Sequence, residues 1–310
     1  MQPPVLAPPD AGGFDALLSA FKPLVPIPVL LVVIPALWWL FRGTWRDLDD
    51  DATKWRTILA AERRTDFRPV VALVMCALIL TLQQYYGDRA YYDQAIRPWL
   101  TRLDGLHPRA IKLAKYDELY GLSWWAVSRV VGYAIVPFPV WKVCFPKDSL
   151  LDMGLRTSGF FKHTWIYGAC LAVVLPLLLL ISRQPDFATY YPFYRGSSRS
   201  WYDFLSWEAM YFAQFFALET FFRGFWLGAL RRSFGSGAIF AMAVPYCMIH
   251  FGKPFLEVNA AIVAAIALGS LSMKTKSIYQ GFFVHITVAA LMDWLALYHR
   301  HALPTAFWSS

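Results

Sequence analysis

Charge is what this chain has least of. Only 16% of its 310 residues are Asp, Glu, Lys or Arg, where a soluble domain carries roughly 25%. That shortfall argues against an ordinary water-soluble enzyme. The net charge of +8 is modest, and the Lys and Arg residues sit between apolar runs. This pattern suits anionic headgroups and topology control rather than nucleic acid. Cysteine is sparse too. Cys76, Cys144, Cys170 and Cys247 are scattered, three of them in apolar runs, and suggest no disulfide framework. The first 21 residues, MQPPVLAPPDAGGFDALLSAF, lack a basic n-region, so no cleavable signal peptide is expected. There is no internal repeat, no HExxH metal motif, and no low-complexity tract beyond the Pro-rich first nine residues.

What fills the chain is apolar: 57% hydrophobic and 17% aromatic residues, with a mean hydropathy of +0.40. Reading for stretches of about 20 apolar residues gives eight spans, near 23–41, 69–86, 122–141, 164–182, 205–229, 236–251, 258–273 and 278–297. Trp38, Trp39, Trp124, Trp125, Trp141, Trp165, Trp207, Trp226 and Trp294 mark several span ends, as in interfacial aromatic belts. Pro245 and Gly269 fall in the short sixth and seventh spans and predict broken or tilted helices. Ala261, Ala265 and Gly269 recur at four-residue spacing, which permits close helix packing. The expected fold is all-α: a polytopic membrane protein of about eight transmembrane helices with a four-helix catalytic core.

The connections divide the chain. Segments 42–68 and 87–121 are long, mixed in charge and read as surface-helical in part, whereas those after 229 are short. Residues 1–200 thus read as a membrane scaffold of four helices, and 201–300 as a compact core. The basic loop residues Arg231, Arg232, Lys274 and Lys276 lean toward placing both termini outside the cytoplasm. The equally basic 87–121 loop argues the reverse.

Within the core, ionisable side chains interrupt the oily helices: Glu219 and Arg223 in FFALETFFRGFWLGAL, His250 at the end of AIFAMAVPYCMIH, and His285 in YQGFFVHITVAALM. Such residues cost at least a few kcal/mol in hydrocarbon and usually mark a function. Helix rise places Glu219 roughly 18 Å from Arg231 and His285 roughly 16 Å from Lys274, with His250 at a similar depth. Glu219 and Arg223 lie one turn apart on one helix face. A self-neutralising pair would explain these two alone. Two histidines at matching depth favour a site, in which Arg223 holds Glu219 ionised and Glu219 acts as general base toward water. The other four histidines, His107, His163, His299 and His301, fall in loops or at ends.

Imidazoles bind metal, polarise a carbonyl or donate to an oxyanion. Glu219, His250 and His285 would supply the three protein ligands of a catalytic zinc, but that leaves no general base. Metal-free glutamate chemistry is therefore preferred, with zinc kept open. Around these residues, Glu208 and Gln214 are candidate supporting partners, Cys247 reads as a small apolar neighbour, and Arg129 reads as a structural partner or headgroup snorkeller. Asn259 reads as a helix cap, and Asp293 points about 80° away from His285.

In order along the chain, ALETFFRG, YCMIH and GSLSMKTKSIYQGFFVH resemble the CPBP family of CAAX proteases and bacteriocin-processing (Abi-type) enzymes, over roughly residues 205–297. The family carries Glu-Glu-x-x-x-Arg, Phe-x-x-x-His and His-x-x-x-Asn motifs. Glu219 and Arg223 match the second Glu and the Arg, Tyr246 and His250 the second motif, and His285 the last His. Leu218 stands in place of the first Glu, the residue usually assigned as base, and Ala289 in place of the Asn. Glu219 would then replace the base, and Asp293 or Asn259 the amide. The resemblance implies an intramembrane endopeptidase of a bacterial cytoplasmic membrane. Its substrate would be a membrane-anchored protein or peptide, cleaved in CAAX-type, leader or C-terminal anchor processing. The departures support the alternative of an inactive scaffold or an immunity or binding protein, and a transporter is a third reading.

Overall fold

The computed structural model describes residues 24, 26–157, 161, 164–183, 187–253 and 255–308; His163 and the Pro-rich first nine residues lie outside them. The protein is an all-α polytopic membrane protein. All eight apolar stretches fall in helices: α1 Pro26–Ala61, α2 Arg68–Tyr86, α3 Leu113–Cys144, α4 Thr164–Ile181, α5 from Trp201 to Phe234, α6 Gly237–Met248, α7 Phe255–Thr275 and α8 Tyr279–His299. Among the described residues, six of these are long and apolar enough to cross a membrane; α5 and α6 are not. Helix α5 carries buried charges, and α6 is only 12 residues long.

The first helix is longer than its apolar span, and the helix expected in part of 42–68 is joined to it. Segment 42–61 is a direct continuation of α1 rather than a connector, so α1 runs 36 residues, about 54 Å at 1.5 Å per residue. A bilayer core is about 30 Å thick, so the charged half of α1 outlasts it. Residues 89–106 form a continuous helical stretch with a π turn at Tyr92–Ile96, and Pro108–Ile111 a further turn, as expected of the 87–121 connection.

Helices α1 and α4 leave large apolar side chains uncovered: Leu31, Val32, Val173 and Leu180 are all more than 60% exposed. In water this would be costly. In lipid it is the expected face of a spanning helix, whose backbone is satisfied internally. The well-buried residues concentrate instead in α5, where Phe221, Phe222, Phe225 and Leu227 are fully enclosed. Helix α1 packs on α5 and α7, α3 on α5, α6 on α7, and α8 on both α4 and α5. Trp45 Nε1 donates to Ser270 Oγ at 2.9 Å, tying α1 to α7. The small-residue stripe acts as predicted: Ala265 is fully buried, and a Cβ on Gly269 would lie 2.9 Å from Met242.

Two π turns shape the centre. Helix α3 is interrupted by one at Val130–Ile135 and α5 by another at Thr220–Trp226; single π turns of this kind often mark functional positions. They meet through aromatic rings, Tyr133 stacking on Phe221 at 5.0 Å. Gly224 permits a close approach here, since a Cβ on it would lie 2.6 Å from the carbonyl of Met153. Arg129, just before the first π turn, lies over Trp125 at 4.4 Å and bonds the carbonyl of Gly87. It is a structural partner.

At the membrane-facing ends, Arg68 makes two bonds to Asp148, Nε to Oδ2 and Nη2 to Oδ1, both 2.8 Å. These bonds hold the Asp148 carboxyl below its ordinary value of 3.8, against the opposing effect of burial. A lowered carboxylate stabilises the fold above its unfolded value and loses that contribution as pH falls through the folded value. Thermal stability in detergent should therefore fall below about pH 4. Asp148→Asn should cost about 1 kcal/mol at neutral pH, since both partners are partly solvated, and should flatten the acid limb. An unchanged acid limb in that variant would dissociate Asp148 from the effect.

Candidate active site

The site grows from the helical repeat of α5. With 3.6 residues per turn, positions 219 and 223 share a face, and Arg223 Nη1 donates to Glu219 Oε1 at 2.8 Å. Both side chains are completely buried. Arg223 is also placed over a ring: its Cζ lies 3.9 Å from the centroid of Tyr246 on α6, a cation–π contact strengthened by desolvation. The guanidinium thus meets a carboxylate on one side and a π face on another, while its Nε and Nη2 make no hydrogen bond among the described residues.

Helix α8 closes the group. His285 Nδ1 lies 2.7 Å from the same Glu219 Oε1, and its Nε2 lies 3.2 Å from the Tyr246 hydroxyl. An ionised carboxylate only accepts, so in a neutral His285 the proton sits on Nδ1 and Nε2 accepts from Tyr246. Phe215, one turn before Glu219, stacks on the imidazole at 4.9 Å. Gly281, one turn before His285, provides the room, since a Cβ there would lie 2.9 Å from Glu219 Oε2. The His285 side chain retains 18% exposure while Glu219 has none. The imidazole, not the carboxylate, is the group that faces outward.

His250 is set apart from this centre. It lies in the turn after α6, with Nδ1 2.8 Å from the carbonyl of Tyr246 and its ring 4.8 Å from that of Tyr246. It therefore joins the group through Tyr246 rather than by touching Glu219. Its half-buried position leaves Nε2 as the available nitrogen.

Glu219, His250 and His285 are not disposed as a zinc set. One Glu219 oxygen is already shared by Arg223 and His285, and His250 turns Nδ1 toward its own helix. A guanidinium on the same carboxylate also opposes a dication. Among the described residues, no group of three or more His, Cys, Asp or Glu is placed to hold a metal ion. The donor set does not fit the metal, and the geometry gives zinc no role.

The supporting residues divide. Leu218 and Ala289, at the two departures from the motif, are both buried. Asp293 does not take the place of the missing amide: its Oδ2 accepts from Trp207 Nε1 at 2.8 Å, as its angular offset from His285 foretells. Asn259 lies a turn inside α7, which starts at Phe255, so it is not a cap. Glu208 is buried with neither carboxylate oxygen hydrogen-bonded among the described residues, and Gln214 is buried nearby on the same helix. Neither bonds the Glu219 group. Cys247 is partly buried and a free thiol. Tyr246, present in the motif but given no chemical task by sequence reasoning, turns out to touch Arg223, His285 and His250. Its four-residue spacing from His250 is the signal that could have found it.

Residues 200–291 match the family model of Rce1-like type II CAAX prenyl endopeptidases, which agrees with the CPBP resemblance. The matched segment contains Glu219, Arg223, Tyr246, His250 and His285. No curated protein and no solved structure matches the chain.

If burial of the ion pair is mutual, removing one partner strands the other. Arg223→Met or Glu219→Leu alone should destabilise the protein by about 3–5 kcal/mol, read as thermal unfolding in detergent. The double variant should recover much of that loss. A double variant as unstable as the sum of the singles would show that the two do not act as a pair.

Proposed function

We propose that the protein is a CAAX-type intramembrane endopeptidase in which a Glu219–His285 dyad activates water. The observation that carries this reading is the 2.7 Å contact between Glu219 Oε1 and His285 Nδ1, with the carboxylate enclosed and the imidazole partly open. The family match supports a protease acting on membrane-anchored substrates. Glu219 fixes the imidazole tautomer and stabilises the imidazolium, as the buried carboxylate does in other triad-like sites. His285 Nε2 takes a proton from water as the oxygen attacks the scissile carbonyl, then returns it to the leaving amine. In the resting site the Tyr246 hydroxyl donates to His285 Nε2. It turns away for water to reach that nitrogen and is then the donor nearest for the oxyanion. A neutral His250, whose Nδ1 donates to the Tyr246 carbonyl, presents Nε2 as an acceptor. Arg223 keeps Glu219 ionised and in place. Glu219 thus acts through His285, not directly on water.

A second reading has a specific observation behind it. Leu218 and Ala289 are apolar and buried where the family's first Glu and its Asn would stand. A silent scaffold or binding protein would carry such substitutions.

Purified protein in liposomes, given a membrane-anchored peptide ending in a prenylated CAAX sequence, distinguishes the two. Wild type should cleave, and Glu219→Gln should lose about 10³-fold or more, the scale of general-base and orienting contributions combined, while inserting normally. Normal cleavage by Glu219→Gln would end the dyad mechanism. If wild type is inert and Leu218→Glu gains cleavage, the silent reading replaces it.

Cys247 tests the chemistry separately. With a water nucleophile, Cys247→Ala should retain activity within a few-fold. Complete loss in a folded variant would move the mechanism to a thiolate nucleophile.

A further inference from the structure

A second polar recess shares no lining residue with the Glu219–His285 site. It is a cavity of about 410 Å³ between the 150–157 segment, the last turn of α5 and the α7–α8 turn. Three basic side chains line it, Arg156, Arg231 and Lys276, against one acid, Asp152. That acid is already engaged, since Arg156 Nε donates to Asp152 Oδ1 at 3.0 Å. Arg231 has no comparable partner. Its Nε is enclosed and makes no hydrogen bond among the described residues.

The bland account of these cations is that they cap helix C-termini, where the dipole favours positive charge. The hydrogen bonds argue otherwise. The carbonyl of Arg231 is met by the amide of Gly235, and that of Ser272 by the amide of Ser277. Arg231 Nε bonds none of them.

The walls are held firmly. Leu155 and Ser277 form a β-bridge, and Ile278 N donates to the carbonyl of Gly154 at 3.0 Å. Gly154 has φ +78°, and a Cβ on it would collide with Ile278 at 2.8 Å. Lys276 itself is fixed at φ +55°, a conformation non-glycine residues adopt uncommonly. The recess lies where α5 and α7 end and α8 begins, the level at which spanning helices meet lipid headgroups. A preformed recess with excess positive charge at that level matches the chemistry of a phosphate group, which guanidinium recognises through paired N–H donors.

We propose that this recess binds a phosphate group, and that its source is the headgroup of an anionic membrane lipid. The ligand has a route to the catalytic helix: Ser272, which lines the recess, also reaches the carbonyl of Arg223 at 3.4 Å. Occupancy is nevertheless independent of whether the dyad cleaves peptides, so a failure of one reading leaves the other standing.

The test uses the full chain in mild detergent, titrated with phosphatidylglycerol, phosphatidylcholine or inorganic phosphate. Native mass spectrometry counts retained lipid, and tryptophan fluorescence follows phosphate. Phosphatidylglycerol should be retained at least about tenfold more tightly than phosphatidylcholine, the worth of one charge-assisted contact. Arg231→Gln and Lys276→Gln should each erase most of that preference, Arg231→Lys should keep part of it, and Arg109→Gln, remote from the recess, should change nothing. Saturation by inorganic phosphate with no lipid preference would keep the phosphate site but overturn the lipid source. No response to either ligand, or equal phosphatidylglycerol retention by wild type and both Gln variants, would overturn the proposal.

Discussion

The buried contact between Glu219 and Arg223 is the constraint on which the centre of this protein depends. Neither charge could be taken out of water alone. Because they lie one turn apart, the two charges neutralise each other within a single helix, and packing then encloses them as a pair. Everything nearby is arranged around the result. Tyr246 lies face-on to the guanidinium, His285 reaches the shared carboxylate oxygen, and Gly281 gives up its side chain to make room. The π turn begins at the residue after Glu219, so the helix is locally unwound where the arginine must fold back. Gly224 then lets the Met153 carbonyl close over that turn.

What the amino-acid sequence disclosed, and what it hid, follows from the range of each interaction. The eight helical segments are legible because apolar runs in lipid leave the backbone few alternatives. The Glu219–Arg223 pair is legible because i,i+4 spacing is local geometry. His285 is legible only as a deep imidazole; that it meets Glu219, and through Nδ1, depends on how α8 packs on α5. Tyr246 is legible as a motif position one turn from His250 but not by its task, which comes from partners on other helices, Arg223 and His285. The helix through 42–61 is legible as a surface helix but not as a continuation of α1, because its charges mark the end of the apolar run, though charge does not stop a helix that has left the bilayer. Depth alone cannot tell that His285 reaches Glu219 while His250 turns Nδ1 toward its own helix, because matching depth along an axis says nothing of the angle at which a side chain leaves its helix.

Position 218 shows how the site's chemistry turns on that angle. Adjacent helical residues point about 100° apart, so Glu219 cannot stand in for a carboxylate at 218 by proximity alone. Here Leu218 packs into the apolar core while Glu219 points to α8 and is sealed from outside. A carboxylate with no exposed surface is poorly placed as a direct base for bulk water. What it can do is set the tautomer of an imidazole that remains partly open. For the proposed mechanism this division has an advantage in a membrane: the charge stays paired where the surroundings are driest, and the group that would be offered to a substrate is neutral. The motif that this segment resembles carries glutamates at both positions, and Glu219, the one retained here, is the one that stands behind the histidine. On the proposed reading the loss at 218 therefore leaves His285, rather than a carboxylate, as the group that meets water.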